Sequence, residues 1–203
     1  MNRPPPTAGN YYDKYGTANP IARRLMRGFL DAFDALVADV PVANALEIGC
    51  GEGELSIRLA KRGFRVRGCD ISAKIVEEAR RRASAAGVEA IFWPQSIESI
   101  DAKAEAAPLI VCCEVLEHVD DPVRAVDVLA GLARPYLLAS VPREPLWRAL
   151  NVARGRYLGA FGNTPGHVNH WGRAGFLQLV ARRFDIVRVR SPLPWTMVLC
   201  RRR

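Results

Sequence analysis

Three histidines are the side chains best suited to moving a proton, and they are the only histidines among the 203 residues. His118 follows a short apolar run, whereas His167 and His170 lie close together in a segment rich in turn-forming residues. An imidazole has an unperturbed pKa of about 6.5, so each could act as a general base at neutral pH. The sequence predicts a catalytic role for these three without deciding among them.

Two carboxylates accompany the first histidine, because residues 114–118 read E-V-L-E-H. This spacing brings Glu114, Glu117 and His118 onto one helical turn, and His167 or His170 could reach them from the later segment. Carboxylates with one or two imidazoles suit Mg²⁺ or Mn²⁺. The pattern predicts a metal site at Glu114, Glu117, His118 and His170. The alternative is that Glu117 and His118 only cap the next helix.

A second chemical motif is the stretch A-L-E-I-G-C-G-E-G at residues 45–53. An apolar run leads into Gly49, Gly51 and Gly53, and a helical pattern follows. Strand, glycine turn and helix let the backbone approach a nucleotide closely, because glycine has no Cβ and accepts a positive φ. The alternative is a tight turn without a ligand. A dinucleotide fingerprint would need its third glycine at position 54, where the chain has Glu54.

Residues 46–53 resemble the first motif of the class I S-adenosylmethionine-dependent methyltransferases. The resemblance implies S-adenosylmethionine as the cofactor, and Glu47 suits its ammonium group. Asp70, at the tip of the second predicted strand, could accept both ribose hydroxyls. The N-terminal tyrosines could close over the cofactor or be surface aromatics. The predicted cofactor-binding set is Glu47, Gly49, Cys50, Gly51, Gly53, Asp70, Ile71, Ser72, Gln95, Ser96, Ile97, Glu114 and Tyr15, of which residues 95–97 match the adenine loop of the family.

The E-x-x-E-H stretch resembles two groups within this family. In small-RNA 3′-end methyltransferases, E-x-x-E-H…H is a metal site that activates a ribose hydroxyl. In ubiquinone-pathway and many other small-molecule methyltransferases, the corresponding stretch mostly marks the edge of the cofactor site. The resemblance covers roughly residues 40–142, so it leaves metal dependence open.

The strand and helix patterns predict an α/β fold, a Rossmann-like doubly wound sheet of seven strands. The sheet is mostly parallel and has a C-terminal antiparallel hairpin. Ligands of such a sheet bind at the carboxyl ends of its strands. The predicted site residues fall at such ends, in the segments Glu47–Gly53, Asp70, Gln95–Ile97 and Glu114–His118. We expect one methyltransferase domain over residues 1–203, an N-terminal helix over 19–39, and a substrate cap over about 143–170. Within the cap, residues 144–158 read as an amphipathic lid helix that could instead rest on a membrane surface.

Composition limits the remaining function classes. A hydrophobic content of 49% with 25% charged residues is typical of a globular chain. No apolar run is long enough to cross a membrane, and the start of the chain lacks a signal-peptide core. The five cysteines form no C-x-x-C pair, so we expect them to be reduced and buried in a cytoplasmic protein.

The net charge of +8 comes from the C-terminal third, where residues 143–203 hold 12 arginines and two acids. This excess could be solvated surface. It could also attract an anionic or polyhydroxylated acceptor, nucleic acid or an acidic membrane face.

These features together predict S-adenosylmethionine-dependent O-methylation of a small-molecule or glycan hydroxyl, which Mg²⁺ or Mn²⁺ could assist. The alternatives are an RNA ribose methyltransferase and a non-catalytic cofactor-binding module. The RNA alternative lacks aromatic stacking platforms and a separate RNA module. The sequence leaves the oligomeric state open.

Overall fold

The structure is a computed structural model that describes residues 19–203. The N-terminal tyrosine segment, with the predicted cofactor contact of Tyr15, therefore lies outside the described residues. Among residues 19–203, no helix is long and apolar enough to span a membrane.

The centre of the fold is a seven-stranded sheet. Its strands are β1 (Asn44–Ile48), β2 (Arg65–Asp70), β3 (Ala90–Pro94), β4 (Ala107–Cys113), β5 (Ala133–Pro142), β6 (Phe184–Arg190) and β7 (Trp195–Arg202). Their order is β3-β2-β1-β4-β5-β7-β6. Strands β1 to β5 pair in parallel, whereas β7 runs antiparallel to both β5 and β6. The predicted α/β sheet with its antiparallel C-terminal hairpin is confirmed.

Six α-helices of the described residues cover this sheet: α1 (Pro20–Val37), α2 (Glu54–Lys61), α3 (Ala73–Ala85), α4 (Pro122–Leu132), α5 (Leu146–Ala153) and α6 (Arg173–Val180). One large core cluster joins α4 and α6 to the sheet through Leu129 and Phe176, and a second joins α1 through Phe29 and Phe33. The central β4 is buried along nearly its whole length. A strand covered on both faces needs a continuous apolar run, and its sequence A-P-L-I-V-C-C supplies one.

The strand order reverses beside β1. After β1 the chain builds β2 and β3 on one side, and it then returns to add β4 on the other side. Such a reversal opens a crevice at the carboxyl ends of the two central strands, where ligands of this fold class bind. We call this rim of the sheet the ligand edge.

The N-terminal helix begins as the sequence predicts. The side chain of Asn19 accepts hydrogen bonds from the backbone N–H groups of Ile21 and Ala22, at 2.9 and 3.2 Å. Asparagine at this position satisfies donors that have no partner inside the helix. The helix ends at Val37, two residues before the predicted limit.

The cap segment, residues 143–170, differs from its prediction. Its helix α5 ends at Ala153, so the expected long amphipathic helix over 144–158 is wrong. The buried residues of α5 are Trp147 and Asn151. The side chain of Asn151 donates to the Gly162 carbonyl at 2.8 Å, which folds the chain back on the helix. The predicted membrane contact of this segment stays a prediction.

Part of the C-terminal positive charge lies far from the ligand edge. Arg201 pairs with Tyr136 near the start of β5, and Trp195 pairs with Pro142 at its end. Six residues of extended strand separate these rungs, a distance of roughly 20 Å. Arg182, Arg183, Arg201, Arg202 and Arg203 therefore mark the edge opposite the ligand edge. All five cysteines are buried and free, as predicted.

Candidate active site

The glycine turn between β1 and α2 closes against the second strand. The N–H groups of Gly49 and Cys50 both donate to the Cys69 carbonyl, at 2.8 and 2.9 Å. Gly49 has a φ of +70°, and a Cβ there would lie 2.3 Å from the Val115 side chain. Only glycine fits this close approach. The Cys50 side chain is buried between α2 and α3, so it takes part in packing rather than facing a ligand.

Gly51 lies on the open side of the same turn. Its φ is +52°, and a Cβ built there would have no heavy atom within 4 Å. Its N–H donates to Oδ2 of Asp70 at 3.1 Å. This open space beside the glycine backbone is a cradle that could admit a nucleotide-like ligand, so the turn fits the implied cofactor.

Asp70 is positioned by backbone donors at the end of β2. Besides the Gly51 bond, its Oδ1 accepts from the N–H of Ser72 at 3.0 Å. The carboxylate is 8% exposed. Each oxygen keeps an acceptor site, because a carboxylate has about four in all. Two ribose hydroxyls could use them, while Ser72 caps α3 and Ile71 leaves an apolar side chain exposed at the rim.

Glu47 lies in the interior of the same site. It is 3% exposed, and the Ser56 hydroxyl donates to its Oε2 at 2.5 Å. Burial raises the pKa of Glu47 to about 8, and the Ser56 hydrogen bond only partly opposes this rise. A ligand ammonium at this position would stabilise the charged carboxylate.

The loop after β3 has one side chain that turns away from the ligand edge. Ile97 is buried in the core, so only its backbone could contact an adenine. Gln95 donates through its backbone N–H to the Asp70 carbonyl at 2.9 Å, and its side chain reaches Ser99. Ser96 bonds to Glu98. The loop is thus tied directly to the strand end that carries Asp70.

Glu114 follows the last residue of β4 in a left-handed conformation with φ +61°. Its carboxylate accepts the Ser140 hydroxyl at 3.0 Å and the indole N–H of Trp195 at 2.7 Å. The antiparallel direction of β7 explains the second bond, because the first residue of that strand lies at the ligand edge.

The structure brings Glu117, His118 and His167 together, with one ligand atom of each within 4.8 Å of the others. The predicted metal site differs from this set, because it includes Glu114 and His170 and lacks His167. Glu114 is oriented toward Ser140 and Trp195, and Nδ1 of His170 lies 3.7 Å from Oε1 of Glu144.

The cap is docked onto the Glu117 turn by Asn169. Its side chain donates to the carbonyls of Leu116 and Val119, at 3.1 and 2.6 Å. The N–H groups of Val168 and Asn169 donate to the Glu117 carbonyl. These bonds bring His167 against His118, with ring centroids 4.8 Å apart and nearly perpendicular planes.

His118 has a defined ring orientation. Its Nδ1 lies 3.0 Å from the Gly166 carbonyl oxygen. A carbonyl can only accept, so Nδ1 carries the hydrogen and, in the neutral ring, Nε2 has the lone pair. That nitrogen faces Glu117, whose Oε1 is 4.0 Å away.

Sequence reasoning did not identify Glu144, Asn169, Trp147 or Trp195. Trp147 stacks on His167 at 6.0 Å and donates to the Thr164 hydroxyl at 2.9 Å. These contacts join positions far apart in the chain, and no local sequence pattern predicts them. The one available signal was the unusual concentration of tryptophan and histidine after residue 143.

The chain is similar to known proteins in sequence and in fold. Residues 45–135 match the family described as a methyltransferase domain. The chain is 32% identical over 155 residues to a ubiquinone biosynthesis O-methyltransferase of Xanthomonas campestris pv. campestris. That match covers 74% of this chain and 64% of the relative. The domain match and this relative support membership of the class I S-adenosylmethionine-dependent methyltransferases. The chain is also 30% identical over 152 residues to a ubiquinone biosynthesis O-methyltransferase of Coxiella burnetii. That match covers 68% of this chain and 64% of the relative.

The fold of this chain recurs in solved structures. Magnesium protoporphyrin IX methyltransferase from Synechocystis PCC 6803, with bound S-adenosylhomocysteine, gives a TM-score of 0.72 at 24% identity and covers 93% of this chain and 90% of that chain. An N-methyltransferase from Bradyrhizobium japonicum, also with bound S-adenosylhomocysteine, gives 0.63 at 19% identity, covering 91% and 89%. At these identities the likeness concerns the fold alone. The curated relatives are longer, since this chain spans 64% of their length.

Proposed function

We propose that this chain transfers a methyl group from S-adenosylmethionine to a hydroxyl oxygen of a small-molecule acceptor. The observation that carries the proposal is the meeting, at one edge of the sheet, of a cofactor cradle and an oriented histidine. Gly51 and Asp70 form the cradle, and His118 lies on the turn after the neighbouring β4.

In this proposal two acidic residues each bind one part of the cofactor. Asp70 accepts the ribose hydroxyls, and Glu47 meets the ammonium group. When bound, the cofactor supplies a methyl group on a positively charged sulfur. The protein then needs to orient an acceptor oxygen in line with that methyl group and to remove its proton. Nε2 of His118 has the lone pair for that task.

A divalent ion is a further part of the proposal. Glu117, His118 and His167 would hold it, because their ligand atoms converge and the Gly166 carbonyl fixes the His118 ring. Two imidazoles and one carboxylate suit Mn²⁺ or Zn²⁺ better than Mg²⁺. The ion would make an acceptor hydroxyl more acidic. His170, paired with Glu144, then becomes the candidate base.

Calorimetric titration with MnCl₂, ZnCl₂ and MgCl₂ tests this donor set without measuring activity. We expect H118A and H167A to lose ion binding, whereas H170A keeps it. Equal loss in all three variants would contradict the assignment, and no binding to the wild-type protein would remove the ion from the proposal.

The acceptor class draws support from the relatives. Two curated relatives are named as O-methyltransferases of ubiquinone biosynthesis, which favours a small molecule with a hydroxyl group. A glycan hydroxyl is the second acceptor to test. An RNA ribose is less favoured, because Arg182, Arg183, Arg201, Arg202 and Arg203 lie at the opposite edge of the sheet.

Cofactor binding and methyl transfer are measured separately. We expect calorimetry to detect binding of S-adenosylmethionine, and D70N to lose it while the exposed D101N variant binds normally. Transfer of a radiolabelled methyl group is then followed on phenols, catechols, sugars and a short RNA. Absence of cofactor binding in the wild-type protein would overturn the proposal. Tight binding without transfer to any acceptor would favour a non-catalytic module.

A further inference from the structure

We infer that Glu114 recognises the positive charge on the sulfur of S-adenosylmethionine, and that Trp195 and Ser140 are positioning residues that hold its carboxylate for this purpose. The inference rests on the proposed function in that the ligand is this sulfonium cofactor. In this inference the side chain of Glu114 distinguishes S-adenosylmethionine from its demethylated product, S-adenosylhomocysteine.

The backbone at Glu114 adopts a conformation that non-glycine residues rarely take. Its φ of +61° lies in the left-handed region, where the Cβ of such a residue crowds the backbone. Two contacts keep the strain in place: the N–H of Glu114 donates to the Ser140 carbonyl at 3.0 Å, and the side-chain hydroxyl of Ser140 donates back to Oε1. A strained residue held at a strand end is a reason to look for a function.

The donors to this carboxylate come from two different strands. Ser140 is fully buried on β5, and Trp195 is 4% exposed at the start of β7. Each donor holds one carboxylate oxygen, Oε1 by Ser140 and Oε2 by Trp195. Because a hydroxyl and an indole are neutral, these two bonds orient the carboxylate without cancelling its charge.

The indole of Trp195 is itself immobilised by aromatic neighbours. Phe29 of α1 meets it edge-on with ring centroids 5.0 Å apart, and Trp147 of the cap lies at 5.7 Å. Ring packing of this kind fixes the direction of the N–H bond. The orientation of Glu114 therefore depends on the N-terminal helix and the cap as well as on the sheet.

The location of Glu114 fits the reacting centre rather than the ends of the cofactor. The next residue, Val115, would touch a Cβ at Gly49, so Glu114 borders the glycine turn on the β4 side of the crevice. Asp70 lies on the β2 side, and Glu47 is buried in β1 between them. The three acids can therefore meet three different parts of one elongated ligand.

The charge of the ligand group that each acid meets distinguishes the role of Glu114 from that of Glu47. Methyl transfer forms a bond between the methyl carbon and the acceptor oxygen and breaks the bond between that carbon and sulfur. The electron pair of the broken bond stays on sulfur, so the sulfonium becomes a neutral thioether, and the proton of the acceptor hydroxyl passes to the histidine base. The ammonium group is present before and after the reaction. A carboxylate beside the sulfur thus favours S-adenosylmethionine over S-adenosylhomocysteine, whereas a carboxylate beside the ammonium binds both alike.

The affinities of E114Q for the two cofactor forms test this inference by calorimetry. We expect the dissociation constant for S-adenosylmethionine to rise about tenfold more than that for S-adenosylhomocysteine, as the loss of one close charge pair implies. W195F and S140A should shift the same ratio in the same direction by about threefold. E47Q should weaken both ligands by a similar factor.

T196V is the matched control, because Thr196 is the buried neighbour of Trp195 and its hydroxyl has no hydrogen-bond partner among the described residues. It should leave the ratio unchanged. Equal weakening of both ligands by E114Q would overturn the inference and leave the proposed function intact, whereas failure of the wild-type protein to bind either ligand would remove the proposed function itself. If W195F does not fold, E114Q and S140A still decide the outcome.

Discussion

Glu47 and Ser56 form a hydrogen-bonded pair inside the protein, with the serine hydroxyl 2.5 Å from the carboxylate. Ser56 is fully buried and Glu47 nearly so. Burial raises the pKa of Glu47 to about 8, above its usual value of 4.5. The carboxyl group of the free protein is therefore mostly protonated at neutral pH, and two predictions concern its titration.

The first prediction is a pH-dependent stability. Because the folded protein holds the Glu47 proton more tightly than the unfolded chain, this group contributes most below about pH 4.5, and its contribution disappears as the pH rises through about 8. Denaturant unfolding between pH 5 and 9 should show the free energy of unfolding of E47Q declining less steeply than that of the wild type. Parallel profiles would contradict the raised pKa.

The second prediction is proton release on cofactor binding. A bound ammonium group favours the charged carboxylate, so Glu47 should lose its proton when S-adenosylmethionine binds near pH 7. The heat of binding should then vary with the ionisation enthalpy of the buffer, as phosphate and Tris solutions would reveal. In E47Q this variation should vanish. A buffer-independent heat in the wild type would argue against the ammonium contact.

The third prediction concerns Gly51, where a side chain would affect both cofactor binding and backbone strain. Both Gly51 and Gly63 have a positive φ, and a Cβ at either position would meet no atom within 4 Å. Each change to alanine should cost about 1 kcal/mol of stability through the backbone. Only G51A should weaken cofactor binding, by about tenfold or more, because its methyl group enters the cradle. Similar affinities of G51A and G63A would place the cofactor elsewhere.

The fourth prediction concerns docking of the cap through Asn169. N169A removes both side-chain hydrogen bonds to the Glu117 turn and should lower stability by about 1–3 kcal/mol. Methyl transfer should fall further than this loss explains, because His167 loses its fixed position beside His118. Cofactor affinity should change little. Q178A, on the exposed side of α6, serves as the control, and a variant N169A with full activity would show that the cap contact is not required.

The fifth prediction uses the position of the C-terminal arginines. Arg201 pairs with Tyr136 and Arg202 with Phe184, both at the edge away from the cofactor cradle. The double variant R201Q/R202Q should therefore keep the KM for the acceptor within about twofold, since a charge that far away is largely screened in physiological salt. If the KM of the double variant rises sharply above that of the wild type at low ionic strength, this surface attracts the acceptor.

The glycine turn and the strand ends could be predicted because their signals are local. An apolar run, a turn of glycines and a helical pattern fall within 20 residues, and the parallel sheet then requires Glu47 and Asp70 to share one edge. The ends of helices are harder to predict from the sequence where packing decides them. The cap helix α5 ends at Ala153 because Asn151 bonds to Gly162, a reversal of the chain that periodicity does not reveal.

The sequence by itself determined the fold class, the binding of ligands at the carboxyl ends of the strands as an expectation, and the residues at those strand ends. Tertiary structure alone decided which side chains meet there. It placed Glu114 with Trp195, 81 positions away, because an antiparallel last strand returns its first residue to the ligand edge. It also replaced His170 by His167 beside His118, because Asn169 fixes the cap on the Glu117 turn. Such contacts depend on how distant segments pack, and residue spacing does not encode them.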